Sequence, residues 1–105
     1  MANKKTNDAV AILHRRLYKK SATRRAELEQ ARLDDAVARQ LLALRTKEGL
    51  SQRELAKRVG TTASVICRLE DADYDGHSMS MLNRIAEALG YRVELRFVRR
   101  AKKAA

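Results

Sequence analysis

Residues 50–70 read LSQRELAKRVGTTASVICRLE, and this stretch decides the fold. Ser51-Gln52-Arg53-Glu54 is a capping box: the Ser51 hydroxyl accepts from a free first-turn amide, and Glu54 reaches back to the amide of Ser51. The helix it opens carries Leu55, Ala56 and Val59 on one side. Gly60 ends that helix at a point where a positive φ costs little only for glycine. Thr61-Thr62 then starts a second helix containing Val65, Ile66 and Leu69. Ala56 is small where two short helices would cross, and Ile66 and Leu69 are apolar where the second must anchor. Thr62, Ala63, Ser64 and Arg68 are left facing outward.

Upstream, Gly49 supplies the left-handed residue that commonly closes a helix. Residues 22–48 lack Gly and Pro, and Leu33, Val37, Leu41 and Leu44 recur at helical spacing. They read as one long helix or as two, with a seam at Leu33-Asp34-Asp35 where Asp34 caps the second. Residues 8–19 read as a short amphipathic helix on Val10, Leu13 and Leu17, with a break over residues 19–23. Downstream, residues 71–77 form a polar, acidic loop. Ser78 caps a further helix with Leu82, Ile85, Ala86 and Leu89 on its apolar face, closed by Gly90. The period then changes: Tyr91, Val93, Leu95 and Phe97 alternate with Arg92, Glu94 and Arg96, the pattern of a strand. Residues 99–105 read as a basic, disordered tail.

The net charge of +10 on 105 residues is unevenly placed. Residues 1–33 carry nine Lys/Arg against Asp8, Glu27 and Glu29, while residues 91–105 carry six against Glu94. Residues 34–90 are close to neutral, with eight basic and nine acidic groups. Basic ends of this kind point to a polyanion, with solubilising tails as the plainer reading. The lone Cys67 cannot form an internal disulfide, and no Cys/His set has metal-ligand spacing. The acidic loop lacks the later Glu that a calcium loop needs after Gly76. His14 and His77 read as solvent or capping residues, and no nucleophile–base pair suggests an enzyme. No apolar run is long enough for a membrane span or followed by a cleavage-type site, so a cytoplasmic protein without cofactor is expected, nucleoid-associated when on DNA.

Residues 41–89 resemble the Cro/cI-type, or XRE, helix-turn-helix family. Gln52, Ala56, Gly60, Thr61-Thr62, Ile66 and Leu69-Glu70 match its pattern in register. The resemblance implies a mainly α fold with a lambda-repressor-like domain at residues 34–90, to which the residue patterns add a basic helical N-terminal segment at 1–33, a strand at 91–98 and a tail at 99–105. It also implies double-stranded DNA as partner. Gln52 and the start of its helix should meet a phosphate, Thr61 and Thr62 the backbone or base edges, and Ala63, Ser64 and Arg68 the major groove. First-turn amides are free donors suited to phosphate, and an arginine at the position of Arg68 can pair bidentately with guanine. Ala63 departs from the glutamine often found there and leaves at most a methyl contact to thymine. Caps for Thr62 and Ser64, and a solvated side chain for Arg68, are the plainer readings.

A lone strand cannot satisfy its backbone groups. Tyr91, Val93, Leu95 and Phe97 are therefore expected to dimerise with a second copy, setting two recognition helices about 34–36 Å apart on a palindromic operator. Pairing with another protein is the alternative. The order of basic helical segment, helix-turn-helix and alternating strand also resembles HigA-type antitoxins, less specifically. That resemblance implies a repressor of its own operon with a toxin bound at the N-terminal segment through Val10, Leu13, Leu17 and Leu28. The charge of that segment conflicts with the mostly basic toxins of that class. The rival is a free-standing phage- or plasmid-type regulator whose N-terminal helices grip DNA or complete a dimer.

Overall fold

The computed structural model describes residues 2–101, with side chains described over residues 8–101. Among these residues there are four helices, α1 (Ala2–Lys47), α2 (Gln52–Val59), α3 (Ala63–Leu69) and α4 (Met79–Leu89), and no strand. The core is small and sits where the last three helices meet the C-terminal third of α1. Leu50, Leu55, Ala56, Ile66, Leu69 and Ile85 are buried together, with Leu41, Val59, Val65, Met81 and Leu89 packed around them.

The local chemistry of α2 and α3 follows the sequence closely. Glu54 N donates to Ser51 Oγ at 3.0 Å and Ser51 N donates to Glu54 Oε1 at 3.1 Å, so the capping box is complete. Hydrogen bonding of the Ser51 amide, and then of its side chain, to the Glu54 carboxyl holds that carboxyl below its ordinary pKa. Gly60 takes φ +84° and its amide, with that of Thr61, returns to Ala56 O. Thr62 and Ser78 cap α3 and α4 through Val65 N and Met81 N. Arg84 of α4 donates to the carbonyls of Val59 and Gly60 at 3.0 and 3.3 Å, covering acceptors that the end of α2 leaves free.

Two expectations require correction. The break over residues 19–23 does not occur, and of the two readings of residues 22–48 the single helix is the one formed: α1 is continuous for 46 residues, about 69 Å at the usual rise. Thr23 is accommodated because its hydroxyl donates to Lys19 O at 2.9 Å, one turn back, instead of capping a new helix. Asp34 lies within α1 and is buried, accepting from Gln30 Nε2 at 3.2 Å. It faces His77 Nδ1 at 3.8 Å, while His77 Nε2 donates to Leu69 O at 2.7 Å. His77 therefore caps α3 from the loop.

The second correction concerns residues 91–98, which form no strand. Tyr91 N donates to Ala86 O as α4 ends, and no backbone–backbone hydrogen bond follows among the described residues. The segment lies along α1. Its Tyr91 hydroxyl donates to Glu48 Oε1 at 2.7 Å, and Tyr91, Val93 and Leu95 line a groove with Val37, Leu41 and Leu44. Farther on, Arg100 is close enough to act on Glu29, whose pKa is lowered first by its bond to Arg32 and then by these charges. From Glu48 to Glu29 is about 28 Å of helix, and from residue 91 to 100 is about 30 Å of extended chain. The segment is thus extended, as its alternation requires, but a ladder needs a second strand and a single chain provides none. The tail expected at 99–105 is described only to residue 101.

Candidate nucleic-acid interface

Helices α2 and α3 cross with Ala56 buried at their contact, and this fixes which side of α3 faces out. Ile66 and Leu69 turn inward and are buried. Thr62, Ser64, Cys67 and Arg68 are exposed, and Thr61 and Ala63 are partly so. The Arg68 side chain makes no hydrogen bond or ion pair among the described residues, so its five donors are open to a ligand. Thr62 spends its hydroxyl oxygen on the cap at Val65 N, 3.3 Å, leaving the hydroxyl proton to donate. Ser64 has no side-chain bond among the described residues and stands two residues into the first turn.

Gln52 is positioned from below. Its Nε2 donates to Glu70 Oε1 at 3.1 Å, and Glu70 is itself gripped by Arg45 at 2.6 and 2.9 Å through both carboxylate oxygens. Arg45 also donates to Leu50 O at 2.8 Å. The Arg45 guanidinium is 16% exposed and the Glu70 carboxylate 6%, so the pair is shielded from solvent. The carboxylate raises the pKa of Arg45 above its ordinary value, and the side chain is permanently charged. One network thus ties α1, the start of α2 and the end of α3 together. One of the two Gln52 amide hydrogens remains available beside the exposed Arg53.

Six of the residues singled out in the sequence, Gln52, Thr61, Thr62, Ala63, Ser64 and Arg68, lie on these two helices and the turn between them. Tyr91, Val93, Leu95 and Phe97 lie apart, on the extended segment against α1, with Phe97 95% exposed. Val10, Leu13, Leu17 and Leu28 are all exposed on the N-terminal part of α1. Residue-by-residue reading missed Arg45 and Arg84, which reach over 25 positions to their partners. Nothing local marks either, since each stands on a helix among other charged residues.

Among the described residues no cluster of His, Cys, Asp or Glu is arranged to hold a metal ion, and no helix is long and apolar enough to cross a membrane. A family model described as "Helix-turn-helix domain" matches residues 36–97. No curated protein matches the chain. Among solved structures, a chain from one titled "Structure of HipA-HipB-O2-O3 complex" superposes with a TM-score of 0.54 at 23% identity. The match covers 63% of this chain and 92% of that one, a likeness of fold. With the family model spanning more than half the sequence, and with the Gln52, Gly60 and Leu69-Glu70 pattern in place on two crossed helices, the chain belongs to the helix-turn-helix domain family, of the XRE-like type.

Proposed function

We propose that this chain is a sequence-specific DNA-binding transcriptional repressor, acting as a homodimer, and the antitoxin of a toxin–antitoxin pair that controls its own operon. One observation carries the DNA reading. A polar, unpaired face of α3 bearing Ser64 and Arg68 is held by a shielded ion pair beside the open amide of Gln52. Phosphate contacts from Gln52 and the adjoining helix starts would set the register, and Arg68 would read a base edge. Thr61 and Thr62 lie between these two sets of contacts, and Ala63 offers only its methyl.

Support for the dimer comes from residues 91–98. Beyond the Tyr91 amide their backbone groups make no backbone hydrogen bond among the described residues, and Leu95, Phe97 and Val98 are 69, 95 and 82% exposed. A second copy of the same segment answers both deficits at once, by a strand ladder and by apolar contact.

Support for a protein partner is the apolar stripe of Val10, Leu13, Leu17 and Leu28, which nothing in the chain covers among the described residues. The solved structure with the similar fold is titled as a complex containing both HipA and HipB. The test is co-expression with the product of an adjoining small reading frame. Rescue of growth supports the antitoxin reading, and rescue should fail when Leu13 and Leu17 are changed to Glu. Absence of rescue by the wild type leaves a free-standing regulator.

A further inference from the structure

Residues 8–33 of α1 stand clear of the core, with side chains largely exposed, and they carry seven of the chain's basic groups. Among the described residues Arg32 alone of these seven pairs with a carboxylate, Glu29 at 2.7 Å. Arg15 and Lys19, and Arg16 and Lys20, stand at i,i+4 spacing, where like charges repel along a helix. An uncompensated ladder of this kind destabilises the arm unless an anion neutralises it.

The helical phase places that ladder. At about 100° per residue, Arg15, Arg16, Lys19 and Lys20 centre on a direction about 40° from that of Asp34, Ala38, Leu41 and Arg45. These last four turn toward the helix-turn-helix body, to which Asp34 and Arg45 are tied through His77 and Glu70. The basic face of the arm therefore continues the side of α1 on which the body lies. The stripe of Val10, Leu13, Leu17 and Leu28 is turned away from it by about 130°. The four side chains lie within about 8 Å of helix, and a face of one sign of charge fits a polyanion.

We infer that the N-terminal arm of α1 binds the phosphate backbone of double-stranded DNA outside the site read by α3, through Arg15, Arg16, Lys19 and Lys20. This rests on the DNA reading above. It assigns the arm's basic face to DNA and leaves its apolar stripe free. Arg24 and Arg25 fall outside this face and are not required. Residues 8–33 span about 39 Å of helix, which corresponds to about 11 base pairs at 3.4 Å per step.

The experiment compares the wild type with a variant carrying Arg15→Gln, Arg16→Gln, Lys19→Gln and Lys20→Gln. Glutamine keeps helix propensity and removes the repulsion, so the variant's helix content, read by circular dichroism, should equal or exceed the wild type's. Binding is measured against salt on a random-sequence duplex and on a site selected from a random library, with and without 15-base-pair flanks. The expected result is a salt slope shallower by about 3–4 per bound arm, and loss of a tenfold or greater gain that flanks give the wild type. Equal slopes and equal flank gains in the two proteins would overturn the inference and leave the basic face to an acidic protein. Arg68→Ala, run in parallel, separates the two readings. If it leaves sequence preference unchanged while the arm variant loses slope, the α3 reading fails and the arm stands.

Discussion

The Arg45 guanidinium and the Glu70 carboxylate meet through two nitrogens and two oxygens, at 2.6 and 2.9 Å, from positions 25 residues apart. The pair fixes the end of α3 against α1, and the same carboxylate receives Gln52 at 3.1 Å. Replacing Glu70 by alanine leaves a shielded guanidinium unpaired, which should cost about 3 kcal/mol of folding stability. Glu70→Gln keeps an acceptor and should cost less. Urea denaturation checks both, and a Glu70→Ala variant as stable as wild type would remove the pair from its structural role.

Arg68 and Gln52 should fail differently. Arg68→Ala is expected to relax preference at one base pair per half-site by about 1–3 kcal/mol, because only a bidentate base contact is lost. Gln52→Ala should weaken binding to all sequences by about 1 kcal/mol, the scale of one hydrogen bond, with specificity intact. Competition binding against single-substitution duplexes separates these outcomes.

Gly60 adopts φ +84°, and a Cβ built there meets only Arg84 Nη2 at 3.6 Å, an ordinary contact. Gly60→Ala is therefore a test of backbone conformation without a clash. The expected loss is about 1–2 kcal/mol, read from the denaturation midpoint at unchanged m-value.

Much of the central domain was legible because its determinants are local. Ser51 and Glu54, Gly60, Thr62 and Ser78 act within four residues of their own positions, so the caps and turn could be placed from order alone. The long α1 was less legible, because Ser21, Thr23 and Asp34 favour a cap or a helix interior depending on what surrounds them. Thr23 turned its hydroxyl onto Lys19 O, and Asp34 was drawn into the core side beside His77. The alternation at residues 91–98 marked a segment that lies along α1, but whether such a segment becomes a strand depends on a partner outside the chain. The positions of Arg68 on α3 and Gln52 on α2 were legible from their register in the two helices. Arg45 was not, since a contact across 25 residues has no periodicity.

The Tyr91–Glu48 bond gives the C-terminal segment a pH dependence. The Tyr91 hydroxyl donates to Glu48, and that bond, with burial and the carboxylate's charge, raises the phenol's pKa. A folded pKa raised above the unfolded value means the contact contributes fully below about pH 10 and is lost as pH climbs through the raised value. The tyrosinate absorbance of wild type minus that of Tyr91→Phe should titrate above the ordinary tyrosine range. A difference curve at or below that range would place Tyr91 away from Glu48.

Deletion of residues 91–101 should leave a folded monomer, because the buried core ends at Ala86 and the flanking contacts at Leu89. Sedimentation equilibrium should then show one chain where the full protein shows two. A deletion protein that remains dimeric would move the interface elsewhere on the chain.

The most direct test of the account is selection by the full-length chain from a library of random duplexes. The expected product is an inverted repeat whose half-sites are centred about 10 base pairs apart, with one position in each half-site losing its preference in Arg68→Ala. A library that returns no enriched sequence, or an enriched sequence that Arg68→Ala reads unchanged, would contradict the assignment of α3 as the recognition helix.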